Sequence, residues 1–445
     1  MKTSIINKNL SFLLLFLVFF LIMIILAVLY SITNDVKYIA FFICSFGSFA
    51  YLYEYIRTDF DCFNSDGLFF GVWIFTIGLG QLKLTYTQST WNYEMWLIVI
   101  TSLFSFAFGS KIIGLFSKTV ELVIISPTDR MQAIKKNVSH KKMKVVLIIS
   151  YIISFCAYFT EVLHAGTIPL FGDNIGDYAN FGISYVHYLV ISIGAILVLT
   201  YLYFVVYSKD GLLKIMFVMG FVMLISILNR HVIIFSVIGI LMVRNYFVKK
   251  IKLKNILLLI FLSLIAFTIL GSLRNVSSDY LVAAIGYKEK YNLVFMWTYH
   301  YLTVGFTNLQ NAIELHPSLT YGLQTFTPFW TFTGLKALFS QSVNPYFSGV
   351  GTFLEGYYLD FGVIGIIIFP FLLGFFSKFI YLKITTTRIG IISFTIYFTV
   401  VNQLVFLFFT DYFSYTHIPL QVIVAAIIYV FSKRKVKLVS SDRQI

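Results

Sequence analysis

The chain is short of charge: 12% of its 445 residues are Asp, Glu, Lys or Arg, while 59% are hydrophobic. So few polar groups could not cover a soluble domain of this length, which excludes an ordinary globular protein and leaves an all-α polytopic membrane protein. Cysteine is scarce too. Cys44, Cys62 and Cys156 stand in no CxxC or Cys/His spacing, so neither a zinc site nor a disulfide framework is expected. No internal repeat is visible, which disfavours transporter folds built from two related halves. A cleavable leader is not expected either. Lys2 and Lys8 precede an apolar run, Leu10 to Tyr30, that is too long and has no small-x-small cleavage site, so it should remain as the first transmembrane helix.

Aromatic residues are abundant, with 49 Phe and 30 Tyr. They suit lipid contact, interfacial belts and sugar stacking alike, and alone decide nothing. The net charge of +14 could point to a nucleic-acid partner, but its distribution along the chain is that of an orientation signal.

About 20 apolar residues cross a bilayer. On that measure twelve runs qualify, near 10-30, 36-56, 67-85, 95-116, 145-163, 187-207, 212-228, 231-247, 255-272, 360-381, 389-409 and 417-432. Threading them from an inside N-terminus puts 26 of the 33 Lys and Arg residues inside and 7 outside. So strong a positive-inside bias supports about twelve transmembrane helices with both termini cytoplasmic. The basic stretch Lys118 to Lys144 then reads as a topology determinant. The chain is expected to be one membrane domain, 1-445, with a first substantial outer loop at 164-186 and one long outer loop at 273-359, partly helical.

The candidate chemistry gathers on the outer side. Arg230, in Asn229-Arg230-His231, occupies a polar turn between two apolar runs, where a guanidinium requires water or an anion. Arg274 follows Gly271-Ser272-Leu273 at the mouth of the long loop, with Asn275 beside it. Paired Arg forks suit a diphosphate, because guanidinium is planar, bidentate and permanently charged. The long loop mixes aromatics, among them Trp297, Tyr299 and Trp330, with His300 and His316, as a glycan site or an interfacial segment would. Glu355 and Asp360 flank Tyr357 at the entrance to the tenth run, where a carboxylate either meets the helix dipole or acts as a base.

Gly166-Thr167-Ile168-Pro169-Leu170-Phe171-Gly172-Asp173, Asn229-Arg230-His231, Gly271-Ser272-Leu273-Arg274-Asn275 and Glu355-Gly356-Tyr357-Tyr358-Leu359-Asp360-Phe361-Gly362-Val363-Ile364-Gly365 resemble segments of the Wzy-type oligosaccharide repeat unit polymerases, as does the twelve-run pattern. The resemblance covers most of the chain in architecture, through short and degenerate motifs. It implies a glycosyltransferase of the bacterial plasma membrane that links undecaprenyl-diphosphate-linked oligosaccharides into O-antigen or capsular polysaccharide at the outer face. Membrane lipid, a chain-length regulator and a flippase of the same pathway would be its partners, and nucleic acid would not. Arg230 and Arg274 match the functional outer-loop arginines of that family and would stabilise the departing diphosphate. Glu355, Asp360 or His300 would take the acceptor proton, and His231, Asn275, Trp297, Tyr299, Trp330 and Tyr357 would bind substrate. One departure stands out: the 164-186 loop has no Arg or Lys. No Asp-x-Asp pair stands in an outer segment, so a lipid-linked donor is expected, with no metal or other cofactor. A lipid-linked oligosaccharide flippase would instead carry charges within several helices and short loops on both sides, and a glycan ligase would share the polymerase's chemistry.

Overall fold

The computed structural model describes residues 2–33, 35, 37–117, 125–172, 181–207, 210–272, 279, 282–315, 318–335, 350–386 and 390–434. Among them no β-strand forms. Helix occupies most of each of the twelve apolar runs, with 81–85 and 406–409 lying beyond the helix ends. Seven helical segments are long and apolar enough to cross a membrane: Leu14–Thr33, Lys37–Arg57, Tyr93–Leu115, His140–Phe171, Val186–Val206, Arg230–Phe247 and Glu355–Thr385. Helices of this length and composition mark a multi-pass membrane protein. Shorter apolar helices, Ser65–Gly80, Gly211–Ser226, Leu253–Leu262, Ile391–Val405 and His417–Ser432, cover the remaining runs.

The chain divides into two compact units. The first comprises Met1–Val123, Lys250–Leu382 and Tyr397–Pro419. It contains α1 (Lys2–Thr33), α2 (Lys37–Arg57), α3 (Ser65–Gly80), α4 (Tyr93–Ser117) and most of the helix Glu355–Thr386. Small residues let α2 and α3 pack closely: a Cβ on Gly71 would stand 2.6 Å from Tyr51 Cβ, and one on Gly47 2.5 Å from the Phe75 nitrogen. In lipid, such close packing replaces the hydrophobic driving force that water would supply. At one end of these helices Asp66 accepts from Lys378 Nζ (2.6 Å) and Ser110 Oγ (2.6 Å), while Arg57 bridges it to Glu54. A charge so deeply placed needs partners, and this network supplies them.

The second unit comprises Ile124–Lys249, Lys383–Ile396 and Leu420–Ile445. It contains α5 (Pro127–Asn137), α6 (His140–Ala165), α7 (Val186–Ile191), α8 (Ile193–Val206), α9 (Gly211–Ser226) and α10 (Arg230–Phe247). The sixth apolar run is thus two helices with a discontinuity at Ser192. Gln421 spans the break, accepting from the Ala195 amide (2.7 Å) and donating to the Ile191 carbonyl (2.9 Å). Backbone groups inside an apolar bundle need such replacements. The Pro169–Phe171 turn packs on α9.

The long interval after α11 (Leu253–Ser272) is partly helical, with α12 (Leu293–Glu314) and α13 (Thr327–Phe332). Next come α14 (Glu355–Thr386), α15 (Ile391–Val405) and α16 (His417–Ser432). α14 is interrupted at Gly362, whose φ of 59° and ψ of −144° fall where glycine alone is comfortable. The carbonyls of Leu359 and Asp360, cut off from the next helical turn, accept instead from the Thr320 and Tyr321 amides, both at 3.1 Å.

Candidate functional site

At the head of α14 several of the expected residues converge with some that the sequence did not single out. Glu355 opens the helix, as expected, but is buried, and Gly351 lies against its carboxyl group. Two residues on, Tyr357 lies beside the carboxylate of Asp411 and stacks on Phe369 with centroids 4.4 Å apart. Asp411 accepts from Ser414 Oγ (2.6 Å) and the Phe413 amide (3.1 Å), so it caps the short turn Tyr412–Ser414 between α15 and α16. Burial raises its pKa to about 6. Its sequence signal is modest: an acid in the brief polar gap between the last two apolar runs.

Asp360 departs from the helix-entrance geometry expected of it. Its carboxylate reaches back to the Gln324 amide (3.1 and 3.2 Å), the Thr325 amide (2.6 Å) and the Thr320 hydroxyl. The chain break at Gly362 turns it away from the following helix, and it caps the 320–326 turn instead. Trp330 serves the same turn, donating Nε1–H to the Gly322 carbonyl (3.0 Å).

α12 brings Trp297, Tyr299 and His300 onto one helix but not one surface. Tyr299 is buried, donating to Gln88 Oε1 (2.8 Å) and accepting from the Leu84 amide (3.3 Å). Trp297, His300 and Tyr301 form a half-buried aromatic group that reaches Phe409, 5.7 Å from the Tyr301 ring. Burial lowers the His300 pKa. Gly305 sets the docking of α12, since a Cβ there would lie 2.2 Å from the Phe408 carbonyl oxygen.

Arg230 belongs to the second unit. Arg230 is the first residue of α10 in the second unit, half-exposed, following Asn229, which caps the helix by accepting from the Val232 amide (3.1 Å). Leu228, at φ 55°, makes the sharp turn into that cap. His231 is half-buried and sits near Phe235. Arg274, Asn275 and His316 lie outside the described residues. In the same unit, a buried Glu161 carboxylate meets His187 Nδ1 at 3.0 Å and the Ile183 amide at 3.1 Å. A cavity of about 600 Å³ lined by Asp129, Gln132 and Lys136 lies along α5, whose Arg130 bonds the Tyr246 carbonyl at the far end of α10 from Arg230.

Among the described residues no group of three or more His, Cys, Asp or Glu side chains is placed to hold a metal ion. No protein-family model matches the chain, and no curated protein or solved structure is significantly similar to it. The class that the fold defines is, among the described residues, an all-helical, multi-pass membrane protein that carries buried carboxylates.

Proposed function

We propose that the chain polymerises undecaprenyl-diphosphate-linked oligosaccharides into a surface polysaccharide at the outer face of a bacterial plasma membrane. The observation that carries this is Arg230 on the first turn of α10, because helix N-terminal amides and a guanidinium together make a strong anion site. In this reading all twelve apolar helices cross, both termini are cytoplasmic, and 273-359 faces outward. The acceptor hydroxyl of one lipid-linked unit attacks the anomeric carbon of another as the bond to the lipid diphosphate breaks. Arg230 stabilises the diphosphate as its charge develops, the role that the resemblance also gives to Arg274, and one preorganised contact of this kind is worth about 10²- to 10³-fold in rate. The aromatic group on α12 offers stacking faces for sugar rings. Glu355 and His300 remain possible bases, whereas Asp360 is committed to its turn.

A flippase is the second reading, favoured by the charged Asp66, Arg57 and Lys378 side chains held on helices. The glycan profile of a deletion strain separates the possibilities. Single repeat units without long chains support the polymerase, loss of all surface units supports the flippase, and long chains left on carrier lipid support a ligase. Orientation is tested by cysteine labelling after replacement of exposed Cys156. Cysteine at exposed Glu289 should react with an impermeant reagent on intact cells, and cysteine at exposed Lys249 only after permeabilisation.

A further inference from the structure

Glu161 and His187 form a side-chain pair with the geometry of a base and its orienting carboxylate. Glu161 lies near the end of α6, and its side chain is wholly buried. Its oxygens meet the Ile183 amide and His187 Nδ1, the latter at 3.0 and 3.2 Å. His187, on the first turn of α7, keeps 32% of its side chain exposed. Donation of Nδ1–H to the carboxylate fixes the tautomer and leaves the Nε2 lone pair available.

The backbone is bent to make this pairing. Gly182 has φ 122°, with its Cβ position 2.8 Å from His187 Nδ1, and Tyr185, at φ 67°, makes the turn into α7. A positive φ at a bulky tyrosine is unfavourable unless the surroundings enforce it.

The pair shares one end of the second unit with Arg230. Tyr158, one turn before Glu161, bonds Ser226 Oγ (2.8 Å), four residues before Arg230. Gly194, seven residues after His187, lies with its Cβ position 2.9 Å from Val232 Cγ1, two residues after Arg230. Seven residues of helix rise only about 10 Å. Among the groups considered as bases, this pair belongs to the same compact unit as Arg230.

We infer that His187 is the general base of the proposed transfer, touching the acceptor sugar hydroxyl, and that Glu161 is its positioning residue. This rests on the polymerase assignment. His187 Nε2 takes the hydroxyl proton as the oxygen bonds to the anomeric carbon. The bond from that carbon to the diphosphate oxygen breaks, and its electron pair leaves with the diphosphate. The imidazolium then returns the proton to solvent or to the departing diphosphate, which restores the base.

The test uses the full-length protein in lipid vesicles with purified undecaprenyl-diphosphate-linked repeat units. It measures kcat and KM for wild type, His187→Gln, Glu161→Gln and the double variant, with thermal unfolding of each. Exposed His164→Gln serves as the control. A general base predicts a loss in kcat of about 10²- to 10⁴-fold for His187→Gln at unchanged KM. Glu161→Gln should fall in kcat by a smaller factor, and the double variant should be no worse than His187→Gln, because the pair acts as a unit. Added imidazole should restore rate to His187→Ala, which also covers the case in which the Gln variant folds poorly. Polymerisation by wild type together with a folded His187→Gln of unchanged kcat, or one altered in KM alone, overturns the dyad and leaves the polymerase assignment standing. Failure of the wild-type protein to polymerise any lipid-linked unit overturns both.

Discussion

In the first unit, the carboxylates near the head of α14 are surrounded by donors from their own chain. In the second, the polar groups around Arg230 and His187 sit on short turns and keep part of their surface open. Asp360 accepts from two backbone amides and a hydroxyl, and Asp411 from an amide and a hydroxyl. Arg230 and His187 are half-exposed on the first turns of their helices. A group whose hydrogen-bonding capacity is used internally holds loops in place, while one with an open face can meet a substrate. The comparison separates residues that build the structure from residues that could react, although in the bare sequence all four are polar residues beside apolar runs.

Removing Asp360 should have the largest effect. Asp360→Ala leaves the Gln324 and Thr325 amides buried without their acceptor, which should cost about 3–5 kcal/mol. Thermal unfolding in detergent would register this as a large fall in midpoint, and a variant as stable as wild type would remove the structural half of the contrast. Arg230→Ala should act chiefly on activity, with polymerisation falling about 10²- to 10³-fold. Arg230→Lys should also lose much of the rate, because a point charge does not reproduce a bidentate contact with phosphate. Wild-type chain length in the Lys variant would reduce Arg230 to an interfacial anchor.

Asp411 should reveal itself through pH. Its pKa in the fold is about 6, raised by burial from an ordinary value of 3.8. The folded state therefore holds the proton to higher pH than the unfolded chain, and ionisation above the ordinary value works against folding. Stability contributed at low pH is lost between about pH 4 and pH 6 and stays lost above that, by about 3 kcal/mol. Asp411→Asn should flatten this dependence, as seen in unfolding midpoints at pH 4.5 and 7.5. If both proteins follow the same curve, another group governs it. The smallest effect is expected from Trp330→Phe, which keeps the ring and removes one bond to the Gly322 carbonyl. It should cost about 1 kcal/mol with little change in activity, measured by denaturation and polymer length together.

The sequence by itself determined where the apolar helices lie, to within a few residues at their ends. A run of apolar residues can satisfy its backbone in lipid only by forming helix, so length and composition placed a helix in each of the twelve runs, while the helix Pro127–Asn137 lay outside them. It also marked the Asn229-Arg230-His231 cap, a local event within one turn of chain. Tertiary structure decided the rest. The break at Gly362 had a visible signal in Phe361-Gly362-Val363-Ile364-Gly365, but its consequence did not: the freed carbonyls and the Asp360 carboxylate find partners some 35 to 40 residues earlier. The links from Tyr357 to Asp411, Glu161 to His187 and Gln421 to Ala195 likewise join residues far apart in sequence. Helix formation depends on neighbours along the chain, whereas the burial and partners of a polar side chain depend on which distant segments fold against it, and that information resides in the packed structure.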